Sequence, residues 1–80
     1  MTKYHAIGFK PADATSLENA AEIFAARQAR KLYGDRGYCH HVRLDCWTAD
    51  GRSANAEAFI GVDADGGCRG NNVNIYITKM

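Results

Sequence analysis

The chain contains one proline, one tryptophan and three cysteines in 80 residues, and no long apolar run. Each scarcity removes a class of explanation. No apolar stretch approaches the roughly 18 residues that a membrane-spanning helix needs, so a membrane partner is not expected. The opening MTKYHAIGFKPADA has one lysine but no apolar h-region, and it does not read as a signal peptide. Three cysteines are an odd number, at spacings that match no disulfide framework. That usage suits a reducing compartment, and the expected location is cytoplasmic. Neither sign of charge dominates: ten Lys+Arg against nine Asp+Glu leave a net charge of +1. A general nucleic-acid binder must neutralise several phosphates, and this balance is too even for one, although it leaves room for a local basic patch. Internal repeats, linkers and low-complexity tracts are absent.

What is present is ordinary for a globular protein, with 46% apolar and 24% charged residues. Eighty residues leave room for one core, so residues 1–80 are expected to form a single domain. The core must be thin, and a partner or a homodimer is an open route to added stability.

The elements follow from periodicity. Residues 3–9, KYHAIGF, read as a short strand ended by Lys10-Pro11. TSLENAAEIFAARQARKLYG reads as one helix, with capping-box spacing between Thr15 and Glu18 and a C-terminal glycine at Gly34. Leu17, Ala21, Phe24, Ala25, Ala29 and Leu32 form its apolar stripe. Three strands are expected over about 38–48, 53–62 and 72–79. Tyr38, His40, Val42, Leu44, Cys46 and Thr48 would face the helix from the first. The inward sets of the other two are Ala54, Ala56, Ala58, Ile60 and Val62, then Val73, Ile75 and Ile77. The predicted fold is α+β, one helix on a mostly antiparallel four-stranded sheet, in the order β-α-β-β-β.

Register can be tested on charge and polarity. A loop of Ala49-Asp50-Gly51 sets Leu44 opposite Ala56 and Arg43 opposite Glu57, keeping each face consistent. The second connection, DADGGCRGNN, reads as a long loop. Setting Val62 opposite Val73 across it also sets Phe59 directly opposite Tyr76.

Candidate chemistry concentrates in GYCHHVRLDCWTADG, residues 37–51. Cys39, His40, His41 and Cys46 are possible metal ligands, but C-H-H-x4-C matches no zinc-finger spacing. On a regular strand His40 and His41 point to opposite faces, as do Cys39 and Cys46, so no metal and no cofactor are expected. A Cys–His nucleophile would need an orienting group and an oxyanion site that spacing does not reveal, so no catalytic residue is assigned. The chain is expected to be no enzyme. DADGG has the opening of a calcium loop but lacks its glycine at position six and its closing glutamate.

The outer face of the sheet remains. It would carry His41, Phe59 and Tyr76 in one row, Arg43 and Glu57 in the next, and Trp47 near the hairpin. Tyr4 joins that face if Ile7 and Phe9 point inward. Such aromatics can simply stiffen a sheet, but an aromatic face with no helix to cover it fits a contact surface. Arg27, Arg30, Lys31 and Arg36 form a second candidate surface at the basic end of the helix, where cations also complement the dipole. Cys68, in the expected loop beside Arg69, is the candidate for an intermolecular disulfide in air.

A strand, the helix TSLENAAEIFAARQARK and a three-stranded meander within 80 residues resemble the small phage-encoded anti-CRISPR proteins. MTKYHAIGFKPADATSLENAA and NNVNIYITKM look like a member acting on a type I system, with subtype I-C a candidate. The resemblance implies a non-enzymatic inhibitor in the host cytoplasm that binds a protein subunit of the CRISPR surveillance complex. It would block target-DNA binding or nuclease recruitment. Many relatives present acidic, DNA-like surfaces; this near-neutral chain points to protein–protein contacts instead. No functional residue is carried over from the family. The alternative reading is a small single-stranded nucleic-acid-binding module, with His41, Phe59 and Tyr76 as a stacking platform beside Arg43.

Overall fold

A computed structural model describes all of residues 1–80. The elements are β1 (Thr2–Ala6), β2 (Ala12–Ala14), α1 (Leu17–Tyr33), a 3₁₀ turn over Gly34–Arg36, β3 (Tyr38–Trp47), β4 (Ser53–Ala64) and β5 (Gly67–Lys79). The fold is α+β with one helix and an antiparallel sheet, as the periodicity predicts. It has five strands rather than four, so the element order is β-β-α-β-β-β. The sheet runs β2-β1-β5-β4-β3, placing the first strand beside the last.

The added strand is three residues long. Ala12 and Ala14 are buried and Asp13 is exposed, a period-two pattern too brief to stand out in the sequence. Pro11 precedes it, which an outermost strand tolerates because one edge needs no N–H donor. β1 ends at Ala6 in a turn closed by the Phe9 amide donating to the Ala6 carbonyl (3.1 Å), with Gly8 at φ 87°. That turn breaks the alternation expected over residues 3–9. Tyr4 is therefore in the core, Ile7 is 82% exposed, and Phe9 packs inward against Phe24 with ring centroids 5.7 Å apart.

The helix starts one residue later than the capping-box reading. Ser16, in extended conformation, is the N-cap and its hydroxyl accepts from the Asn19 amide (3.1 Å). Asn19 Oδ1 accepts in return from the Thr15 amide (3.0 Å). At the other end Gly34, at φ 80°, donates to the Arg30 carbonyl and turns the chain out of the helix. The helix connects β2 at one edge of the sheet to β3 at the other, and so covers one face. Its buried side is almost all alanine: Ala20, Ala21, Ala25 and Ala29 around Phe24. Ala54, Ala56 and Ala58 answer from β4, with Ile60, Ile75 and Ile77 adding bulk. Leu32 lies on the same stripe by angle but is 53% exposed, because the buried stripe ends at Ala29. There Gly37 comes so close that an added Cβ would lie 2.2 Å from the Ala29 carbonyl oxygen.

β3 and β4 pair as the charge pattern requires, with Leu44 opposite Ala56 and Arg43 opposite Glu57. The register shifts by one on each side of that block, between Cys39 and His41 and between Leu44 and Cys46. Such β-bulges insert an unpaired residue and re-aim its neighbours. Five residues change face as a result. Tyr38 and His40 are on the outer face, Cys39 packs toward the core, and Trp47 pairs with the inward Ala54. Cys46, opposite Asn55, is exposed on the outer side.

The expected long loop between β4 and β5 does not exist. Asp65 and Gly66 alone make the turn, with Gly66 at φ 82°, and the strands pair in unbroken register from there. Val62 is opposite Arg69 rather than Val73, and Phe59 is opposite Asn72 rather than Tyr76. Gly61 faces Gly70 in this ladder, and a Cβ on either would lie 2.2 Å from the backbone of the opposite strand. β1 pairs with β5 only over Ile77–Lys79, so the rest of that edge of β5 has no neighbouring strand.

Candidate functional site

The face of the sheet opposite the helix carries the candidate site, and the bulge at His40 shapes it. A regular strand would send His40 and His41 to opposite faces. The extra residue instead sets both beside Phe59, His41 stacked on its ring (5.9 Å, 20°) and His40 meeting its edge (5.2 Å, 62°). Tyr38 extends the group, 4.2 Å from the His40 ring. Four rings thus form one contiguous patch at the β3 side of an otherwise asparagine-rich face.

Two polar contacts tie this patch to the β4–β5 hairpin. The Tyr38 hydroxyl donates to Asp63 Oδ1 at 2.5 Å. That bond, with the carboxylate's charge beside it, pushes the Tyr38 phenol up to about 12. Cys68, opposite Asp63 in the ladder, lies with its Sγ 2.7 Å from His40 Nε2. His40 is on β3 and Cys68 on β5, so the contact crosses β4 where Gly61 has no side chain. Cys68 is exposed as expected, but in a strand rather than a mobile loop.

The other predicted contact residues scatter. Arg43 makes its outward ion pair with Glu57 (3.5 Å) and approaches Asp45 (4.0 Å), one row from His41. Tyr76 is on the same face, 53% exposed, but opposite Asn55 and away from Phe59. Next to it Asn55 Nδ2 donates to Asn74 Oδ1 (3.1 Å). Trp47 is 64% exposed on the helix side, where it borders a shallow apolar groove with Leu17 and Leu44. The groove continues along the β3 edge past Glu18, Glu22 and Cys39. β3 is therefore flanked by an aromatic surface on one side and an apolar groove on the other.

The basic residues at the helix end do not act as one patch. Arg27 is half-buried, donates from Nη1 to the Lys10 carbonyl (2.8 Å) and lies over the Phe24 ring (5.5 Å). Lys31 lies over Phe9 (5.3 Å). Both hold the turn that follows β1 against the helix; Arg30 and Arg36 are exposed.

The three cysteines are free thiols. Cys39 and Cys68 are on opposite faces, which separates them as disulfide partners. Cys39 donates to the His41 carbonyl (3.2 Å), and burial, with the Glu22 charge second, pushes its thiol up. Although the bulge overturns the alternation that separated His40 from His41, no three His, Cys, Asp or Glu side chains converge on a point suited to a metal ion. No helix is long and apolar enough to cross a membrane. Sequence reasoning missed Tyr38, His40 and Asp63 as members of this site. Their signal lies in a register shift, which composition does not carry. No protein-family model, no curated protein and no solved structure matches this chain.

Proposed function

We propose that this chain is a non-enzymatic inhibitor that binds a protein subunit of the host type I CRISPR surveillance complex through the outer face of its sheet. On this reading a phage-encoded protein blocks target-DNA binding or recruitment of the nuclease. One observation carries the interaction role. The only helix is spent on one face, and the uncovered face groups Tyr38 and His41, both exposed, with the half-buried His40 and Phe59. Clustered aromatics beside an arginine, here Arg43, are the side chains that anchor protein interfaces. The net charge of +1 favours such contacts over mimicry of a polyanion. The identity of the partner rests on the resemblance in size and element layout described above.

The nucleic-acid alternative draws less support. His41 already stacks on Phe59, and Tyr76 is in a different row, so the expected platform of His41, Phe59 and Tyr76 does not come together. The test uses purified type I surveillance complexes, subtype I-C first, in a nuclease-treated pull-down followed by a target-DNA gel shift. Retention of the chain on the complex, with loss of the DNA shift or of nuclease recruitment, is the expected result. Absence of binding to every type I complex would overturn the partner, and normal binding by a Phe59→Ala/His41→Ala double variant would overturn the surface.

A further inference from the structure

We propose that Cys68 and His40 form a thiol-modification site, at which Cys68 captures small disulfides by exchange with His40 as its base. The geometry singles out one thiol of three. Cys68 Sγ is 2.7 Å from His40 Nε2, within reach of direct proton transfer, and the thiol is exposed. Cys46 is also exposed but has no imidazole partner, and Cys39 is half-buried with its S–H turned to a backbone carbonyl. The chain therefore contains its own controls.

The surroundings hold the imidazole in place. Tyr38 lies against one side of the His40 ring and the edge of Phe59 against another, which limits its rotation. Asp63, the carboxylate opposite Cys68, is engaged by the Tyr38 hydroxyl rather than by His40. His41 stacks on Phe59, and Arg69, next to Cys68, alternates to the helix side of the sheet. The pairing of Gly61 with Gly70 leaves the space over β4 through which His40 reaches across. An alanine at either position would collide with the opposite backbone.

The step balances without any further reactant. His40 Nε2 takes the proton from Cys68, and the thiolate attacks one sulfur of a low-molecular-weight disulfide. A bond forms between Cys68 Sγ and that sulfur while the disulfide's own S–S bond breaks. The departing thiolate takes the proton from His40 and leaves as a thiol. Cys68 is oxidised to a mixed disulfide, and the released sulfur is reduced. A second thiol reverses the reaction, so the mark is removable.

The site lies on the face proposed to bind a partner but does not depend on that reading, since it is tested on the chain alone. Reaction of the folded protein with glutathione disulfide at neutral pH is followed by intact mass and peptide mapping. Cys68 is expected to be the first residue modified, at least about tenfold faster than Cys46, a modest share of what a positioned base supplies in enzymes. In His40→Gln the Cys68 rate should fall toward that of Cys46, whose own rate stays constant, while continued protection of the half-buried Cys39 reports an intact fold. Equal rates at Cys46 and Cys68 in the unaltered protein would overturn the proposal, with no variant needed. An unchanged Cys68 rate in a folded His40→Gln protein would overturn the role of the imidazole.

Discussion

Phe59 and Tyr76 share a face of the sheet but not a row: Phe59 is opposite Asn72 and Tyr76 is opposite Asn55. Asn72 and Tyr76 are separated by about 13 Å along β5, at roughly 3.3 Å per residue. On the proposed interface the two rings would therefore act independently. Phe59→Ala disturbs a cluster that includes His40 and His41, and should weaken binding more than Tyr76→Ala. Their effects should add within about 0.5 kcal/mol, as expected for sites this far apart. Calorimetric titration of single and double variants against the purified surveillance complex checks this. A coupling above about 1 kcal/mol would place both rings in one pocket and contradict the register.

Core variants should separate as burial dictates. Phe24 is fully buried among alanines that cannot fill a void, so Phe24→Ala should cost about 3–5 kcal/mol in urea unfolding. Leu44 is half-buried beside the open groove, and Leu44→Ala should cost less than about 2 kcal/mol, because there the cavity opens to water. Leu32→Ala should stay within about 0.5 kcal/mol. A loss at Leu32 comparable to that at Phe24 would contradict its position outside the core.

The cap assignment makes a sharper distinction between neighbours. Ser16→Ala removes the hydroxyl that accepts from the Asn19 amide and should destabilise by about 1 kcal/mol. Thr15→Ala keeps the backbone amide that Asn19 uses, so its effect should be near zero. Chemical denaturation of the two variants side by side decides between Ser16 and Thr15 as the cap.

Tyr38 gives a spectroscopic handle. Absorbance of tyrosinate against pH should contain a component with its midpoint near 12 that is missing in Tyr38→Phe. In Asp63→Asn that component should move down toward 10, since the carboxylate's bond and charge are gone. The folded value is raised, so the stabilisation from this bond is complete below pH 10 and is lost as pH rises toward about 12. The pair is exposed, and its contribution to stability should be small.

The helix and the meander were legible because both rest on periodicity. Alanines and Phe24 recur at helical spacing, and Ala54, Ala56, Ala58 and Ile60 alternate along β4. The centre of the first hairpin was legible as well, since only one register keeps Arg43 beside Glu57 and Leu44 beside Ala56. The bulges were not. One unpaired residue changes no local composition, yet at His40 it moves Tyr38 and Cys39 to the opposite faces, and at Asp45 it does the same to Cys46 and Trp47. The stretch DADGGCRGNN reads as a loop because glycine and asparagine are poor strand formers taken singly. Paired, Gly61 and Gly70 instead permit a strand contact that larger residues would block. The stacking of His41 on Phe59 followed from the legible register. The Cys68–His40 contact did not, because it requires both the bulge at His40 and the two-residue turn at Asp65-Gly66.

The pairing of Tyr4 with Lys79 joins the two ends of the chain and sets an order in time. The β4–β5 hairpin closes around two residues, and such hairpins form in about 1–10 μs, soon after helices at about 0.1–1 μs. Docking β1 instead closes a loop of nearly the whole sequence, and the entropy of that closure must be met before its contacts reward it. The helix and the β3–β4–β5 meander should therefore assemble first, with β1 and β2 arriving together as a late pair. During synthesis β1 must wait until Ile77–Lys79 leave the ribosome. Until then Tyr4, Ala6, Ala12 and Ala14 have no sheet edge to cover them, and the same two strands should be the first to detach when the protein unfolds.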